Sequence, residues 1–245
     1  MVIKQNRRVV HYKHISFCTN RCRCVAKPVC IMKSRPVERE PWGGGSHFIT
    51  ALFEYFLKEG HEVVFSLEDN IDVIFMFDPR PSSGDDCVNS IYRYKVKNPS
   101  VKIIQRINDT DIARPKDKPW RVELLLYANQ IADHTVFISN WVKDHYVEKG
   151  FQVTKPHSVI INGCSSDWYF PAENKEKSRK IKLITHHWSD NFMKGFEVYN
   201  FLDALAETRK DFQFTYMGRY NKDYSPRNTS LLPPMYGPGV GEVLR

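Results

Sequence analysis

Short apolar runs separated by polar turns recur along this chain, and most of them are too short to be helices. Val29-Cys-Ile-Met32, His61 to Phe65, Asp72 to Phe77, Val101 to Arg106, His134 to Ile138 and Ser158 to Ile161 read as strands. Between several of them, apolar residues fall at helical spacing. Phe48, Ile49, Leu52, Phe53, Phe56 and Leu57 make one such face, stopped by Gly60. Trp120 to Ala132 and Trp141 to Lys149 are two more, the latter with Ser139 as its N-cap and Gly150 as its stop. This alternation predicts a mostly parallel sheet with helices on both faces. The pattern breaks over residues 162–180, which end in the charged run Glu173 to Lys180. It then restarts with a strand at Ile181 to Thr185, a helix from Phe196 to Ala206 and a strand at Phe212 to Met217. The expected organisation is a leader over 1–27, an α/β domain over 28–170, a linker over 171–180 and a partial second α/β domain over 181–245, the two domains facing each other across a cleft.

Composition narrows the class. With 42% hydrophobic and 13% aromatic residues in 245, the chain can bury a real core. No apolar run approaches the roughly 20 residues needed to span a bilayer as a helix. The net charge of +8 is local: residues 1–40 hold ten Lys and Arg against two Glu, and the remaining 26 basic and 26 acidic residues cancel. A basic arm of this kind can contact an anionic membrane surface peripherally, and it can equally be a solvated leader. No recognised nucleic-acid motif follows it, so no nucleic-acid partner is expected. Cys18, Cys22, Cys24 and Cys30 lie in or beside the leader with His11 and His14, but without paired C-x-x-C hooks no metal site is expected. The stretch also lacks the apolar centre and small-residue cleavage site of a signal peptide, which makes a cytoplasmic, reduced chain the default.

Candidate chemistry concentrates where strands end. After Ile181 to Thr185 come His186, His187 and Trp188, then Lys194 and Gly195 at the start of a helix. A polar loop at the carboxyl end of a parallel strand is a ligand position, and a helix N-terminus offers free amides to an anion. A lysine there opposes the helix dipole unless an anion is bound. The segment Trp42-Gly-Gly-Gly-Ser46 precedes the first long helix, and its glycines Gly43, Gly44 and Gly45 let the backbone approach a ligand. The G-x-G-x-x-G dinucleotide spacing is absent. Arg106-Ile-Asn-Asp109 leaves another strand end and offers Arg106, Asn108 and Asp109 to a ligand in the cleft. An internal Arg106–Asp109 pairing is the alternative. Asp78-Pro-Arg80 is a weaker instance of the same position.

Several of these segments together resemble a glycosyltransferase of family 4, the group-1 type with the GT-B fold of two Rossmann-like domains. The resemblance is carried by Trp42 to Ser46 with its helix and Gly60-His-Glu-Val-Val64, by Ala132-Asp-His-Thr-Val-Phe-Ile-Ser139, by Val159-Ile-Ile-Asn-Gly163 with Phe170-Pro171, and by Lys194-Gly195. It implies a retaining transfer of sugar from a nucleotide diphospho-sugar to a carbohydrate, lipid-linked or small-molecule acceptor, with no metal and no cofactor beyond the donor. The first domain would hold the acceptor and the second the donor. Lys194 matches the lysine that contacts the donor diphosphate, with His187 as its catalytic partner. Gly43 to Gly45, His186, Trp188, Gly195 and Gly218 fall in donor positions, and Asn162 and Gly163 line the crossing between domains. Where the family has a Gly-Arg pair, this chain has His186-His187-Trp188.

The family's pair of glutamates, seven residues apart in the second domain, has no match after Gly218. The second domain is therefore expected to be incomplete, with Phe212 to Met217 at an open edge and little turnover from the 245-residue chain. An inactive ligand-binding remnant and an unrelated two-domain binder are the competing readings.

Overall fold

The computed structural model describes residues 29–32, 43–77, 88–110, 119–173 and 179–245. The leader cysteines Cys18, Cys22 and Cys24 and the Asp78-Pro-Arg80 corner lie outside them. The chain divides into two compact units, residues 1–36 with 48–162 and residues 37–47 with 163–245. The division falls at Asn162/Gly163, ahead of the expected linker at 171–180.

The first unit is built on a six-stranded sheet, every pair parallel, in the order β2-β1-β3-β4-β5-β6. Its strands are β1 (Val29–Met32), β2 (Val63–Val64), β3 (Val73–Met76), β4 (Lys102–Ile107), β5 (His134–Phe137) and β6 (His157–Val159). The helices are α1 (Gly44–Lys58), α2 (Val88–Lys97), α3 (Pro119–Ile131) and α4 (Asn140–Glu148). The order reverses between β1 and β3, the position at which open parallel sheets carry ligands beyond their carboxyl ends.

Covering on both faces explains the near-continuous apolar strands. On one face Ile74, Met76 and Ile103 pack with Val88, Ile91 and Ala128 from α2 and α3. On the other, Phe75 and Phe77 pack with Phe48, Ile49, Leu52 and Phe56 of α1. Ser139 caps α4 as expected, its hydroxyl accepting from the Val142 amide at 3.1 Å. Gly150 follows the helix with φ of 100°. α2 was not legible in the pattern, because Val88-Asn-Ser-Ile-Tyr-Arg-Tyr-Lys-Val-Lys97 is poor in strong helix formers. Tertiary burial of Val88 and Ile91 stabilises it.

The second unit has a three-stranded parallel sheet, β7 (Ile181–His187), β8 (Phe212–Gly218) and β9 (Ser230–Leu232), with α5 (Phe196–Thr208) and α6 (Pro238–Leu244). Three expectations need correction here. β8 is the central strand, paired on one side to β7 and on the other to β9, so Phe212 to Met217 is not an open edge. His186 and His187 are the last residues of β7 rather than loop residues, held by the register pairs His186↔Met217 and His187↔Gly218. Gly44 and Gly45 belong to the first turn of α1 rather than to the segment ahead of it.

The core of the second unit is aromatic. Phe196 and Tyr199 of α5 pack with Phe214 and Tyr216 of β8 and with Tyr224. Asp203 of α5 holds the turn ahead of β9, accepting from the Arg227 and Asn228 amides at 3.0 and 2.8 Å and from the Thr229 hydroxyl at 2.6 Å. These bonds outweigh burial, so its carboxyl sits below its ordinary range. Among the described residues no helix is long and apolar enough to cross a membrane.

Candidate functional site

Three parallel strands of the second unit end at one edge, and a cavity of about 330 Å³ lies there. The end of β7 contributes His186, His187 and Trp188, and the end of β8 contributes Met217 and Gly218. Pro234 to Gly237, following β9, forms a third wall, and Gly44, His47, Tyr169 and Val240 complete it. Tyr236 stacks on His47 with ring centroids 4.6 Å apart and meets Trp168 edge-on at 5.3 Å. An aromatic wall beside polar strand ends suits a planar base joined to an anionic group.

Gly218 is required by geometry. Its φ is 137°, and a Cβ there would collide with the carbonyl oxygen of His187, its partner across the β7–β8 ladder. The strand ends can therefore close on each other only with glycine at this position.

His187 is held more tightly than a surface histidine. Its Nδ1–H donates to the Ser189 carbonyl at 2.6 Å, which leaves the lone pair of the neutral ring on Nε2. The ring meets Phe196 edge-on at 5.6 Å and lies against Tyr199 at 5.8 Å. The Tyr216 hydroxyl lies 3.3 Å from both ring nitrogens. Burial, helped by the neighbouring charges of Lys194 and His186, pulls its pKa below the ordinary histidine value against the Ser189 bond. A permanent positive charge at His187 near neutral pH is not part of this site.

Lys194 ends a short 3₁₀ turn, Phe192–Lys194, and its side chain is exposed and outside the cavity lining. Asn191 caps that turn, its side chain accepting from the Met193 amide at 3.0 Å. The Tyr199 hydroxyl donates to the Lys194 carbonyl at 2.7 Å, fixing the backbone ahead of α5. Gly195, at φ of 107°, begins α5 without a side-chain cap, which leaves that helix's first amides open to an anion. Lys194 thus stands two residues before the helix, ahead of its cap Gly195, not in its first turn. Arg219, just past the β8 end, lies over the Trp188 ring at 4.9 Å. Of the glycines, Gly44 lines the cavity, and a Cβ at Gly43 would come to 3.9 Å from the Trp188 ring. Gly45 and Gly195 are outside the lining.

The remaining expected residues belong to the first unit, apart from Gly163, which is exposed at the start of the second. Arg106 is 4% exposed, and its Nη2 donates to the Asn162 side-chain oxygen at 2.8 Å. Its guanidinium lies 3.7 Å from the Phe48 ring centroid and 5.1 Å from that of Phe77. The alternative pairing with Asp109 is not formed: Asp109 is exposed, and its Oδ1 accepts instead from the Thr110 amide at 2.9 Å. Asn108 is half-buried in the same turn.

Arg106 Nη1 is buried and has no hydrogen-bond partner among the described residues. Desolvation pulls its pKa down to about 10. Two ring contacts supply roughly 0.5–2 kcal/mol each, whereas removing a charge from water costs several kcal/mol even after relaxation. The guanidinium is thus under-compensated by its described surroundings.

His47, Tyr169, Met217, the run Pro234 to Gly237 and Val240 line the cavity without having been expected there. The Pro233-Pro-Met-Tyr-Gly-Pro-Gly239 turn follows a strand end, and that position was the available signal.

No protein-family model matches the chain, and no curated protein matches it in sequence. Solved structures do match in fold. Anabaena HepE in complex with UDP-glucose aligns with TM-score 0.54 and 11% identity over 88% of this chain and 71% of its own. HepE with UDP and glucose aligns with TM-score 0.54 and 12% identity over 85% and 69%. This likeness establishes the fold: α/β, with two Rossmann-like units of the GT-B kind.

Proposed function

We propose that the chain is a glycosyltransferase whose second-unit cavity takes the nucleoside diphosphate of a sugar nucleotide. The observation that carries this reading is the cavity itself, set at the carboxyl edge of a parallel sheet whose two longest strands close on Gly218. That HepE, a fold relative, is seen with UDP-glucose and with UDP and glucose supports it. In the reaction the bond from the anomeric carbon to the diphosphate breaks as a bond to an acceptor hydroxyl oxygen forms, the hydroxyl proton leaves with the diphosphate, and negative charge accumulates on the leaving oxygen on the way. Lys194 and the open amides of α5 are the groups able to stabilise that charge. His187, neutral and packed, acts as a positioning residue for the β7 end. Trp188 and Tyr236 supply ring faces for the base. Retention at the anomeric carbon and a carbohydrate or lipid-linked acceptor held by the first unit complete the proposal, with no cofactor beyond the donor.

A second reading, binding without turnover, is favoured by one feature. Among the described residues, the cavity lining carries no carboxylate to orient the donor sugar. Calorimetric titration of UDP, GDP and ADP tests the site, and product analysis with the matching sugar nucleotide tests turnover. Wild type is expected to bind one of the three, Tyr236→Ala and Lys194→Ala each weakening it about tenfold, the usual worth of a stacking or charge-assisted phosphate contact. Unchanged affinity in Lys194→Ala alone would remove Lys194 from the site. Unchanged affinity in both variants would remove the cavity.

A further inference from the structure

We propose that Arg106 anchors an oxyanion subsite in the first unit, separate from the second-unit cavity, which takes a carboxylate or phosphoryl group of a small ligand. Four observations converge on it. The guanidinium is 4% exposed, and its Nη1 is buried without a partner among the described residues. It is the penultimate residue of β4, whose neighbour β3 stands at the reversal of strand order, where the carboxyl edge of such a sheet receives ligands. The two rings beside it, Phe48 at the start of α1 and Phe77 just past β3, belong to the segments that flank that reversal. Its other terminal nitrogen is already committed to Asn162, so the planar fork is fixed in orientation while Nη1 stays available.

A guanidinium kept only for packing would be expected to have a carboxylate beside it or to be replaced by an apolar chain of the same length. Neither is seen among the described residues: the bond to Asn162 is to a neutral oxygen, and burial pulls the guanidinium pKa down to about 10. The missing counter-charge is supplied by the ligand. Asn162, which holds the guanidinium, is itself exposed, so the arginine lies one side chain below the surface. The ligand oxyanion then accepts from Nη1, with the Phe48 and Phe77 rings excluding water from the pair. This assignment goes beyond the donor reading and does not require UDP to bind the second unit.

The test uses the full chain with its arginine side chains ¹⁵N-labelled, titrated with inorganic phosphate and with D-glucuronate at constant ionic strength, chloride serving as the control. One or both anions should move the Arg106 side-chain resonance and raise the melting temperature, whereas chloride should do neither. Response to phosphate alone identifies a phosphoryl ligand, and response to glucuronate alone identifies a carboxylate. Arg106→Met should lose at least tenfold in affinity for the responding anion, while melting no lower than wild type in chloride. If Arg106→Met does not fold, the wild-type resonance titration decides. The proposal is overturned if neither anion moves the Arg106 resonance, or if Arg106→Met retains the wild-type anion response. Because the probe is the Arg106 resonance itself, loss of this site is read separately from loss of nucleotide binding.

Discussion

The two units use the same parallel strand and bury it in different ways. In the first, β3 and β4 are flanked on both sides and covered on both faces, so Ile74, Met76 and Ile103 are fully enclosed among aliphatic partners. In the second, β8 alone is flanked on both sides, and β7 leaves Ile181 54% and Leu183 42% exposed. The second core is a set of Phe and Tyr rings, and its tyrosine hydroxyls are put to use. Tyr199 donates to the Lys194 carbonyl, Tyr216 to the Arg219 carbonyl and Tyr224 to the Thr229 hydroxyl. Aliphatic side chains can only exclude water, whereas a buried tyrosine must find a partner for its hydroxyl. In this unit the partners lie in the segments that follow the strand ends. The core of the second unit therefore fixes the loops beside the cavity, while the first unit uses the device more sparingly, as where Tyr146 donates to the Asp109 carbonyl.

The largest way to break this contrast is Gly218→Ala, which adds a positive-φ penalty to a collision with the His187 carbonyl. A loss of about 3 kcal/mol or more is expected, since strain and overpacking act together. Native-state hydrogen exchange should show protection lost across β7 and β8 and kept across β3 and β4.

Phe196→Ala should cost about 3–5 kcal/mol for an aromatic removed from a closed core. Tyr199→Phe, which removes only the hydroxyl bonded to Lys194, should cost roughly 1 kcal/mol. Denaturant titration of both variants separates ring packing from loop anchoring. Equal losses would mean that the Tyr199–Lys194 bond holds this core as strongly as the enclosed Phe196 ring.

Below the ring and of the same order as the hydroxyl are two carboxylates, one in each unit. Asp133 accepts from the Ile103 amide at 2.8 Å and pairs with Lys95 at 3.0 Å, and these contacts outweigh its burial, so its pKa lies below the ordinary value, as does that of Asp203. A depressed carboxyl stabilises the fold above its unfolded pKa, near 4, and that contribution is lost as pH falls through the folded value. Asp133→Asn and Asp203→Asn should each cost about 1–2 kcal/mol at pH 7 and progressively less at pH 3. A penalty independent of pH would show that geometry, not charge, is what these residues provide.

The smallest expected effect is the titration of His187. A histidine whose folded pKa is depressed favours the fold above about pH 6.5, and stability declines as pH falls below that toward the folded value. His187→Phe should flatten the stability profile of wild type between pH 7 and pH 5 in thermal melts.

Much of the first unit was legible because both-face burial writes its strands as unbroken apolar runs. β1 and the cap at Ser139 fall where the pattern put them, as do the other strands to within a few residues. The ends of β7 and β8, which the apolar pattern located, do line a cavity. What could not be read is the wall contributed by Pro234 to Gly237. β9 offers only Ser-Leu-Leu, and α6 has Pro, Gly and Gly among its seven residues, so neither carries a periodicity. Their placement depends on tertiary contacts, such as the approach of Gly241 to the Trp168 carbonyl, where a Cβ would not fit. The environment of His187 was not legible either. A histidine at a strand end looks solvated in sequence, and only the ring packing of Phe196, Tyr199 and Tyr216 reveals why it stays neutral.

Hydrogen exchange of the full chain with and without UDP, GDP or ADP tests the central claim most directly, because it locates a ligand without presuming turnover. The account predicts that one nucleotide slows exchange at 186–188, 217–219 and 234–240 together, the three walls of the cavity. Protection confined to other segments, or none with any of the three nucleotides at saturating concentration, would contradict it.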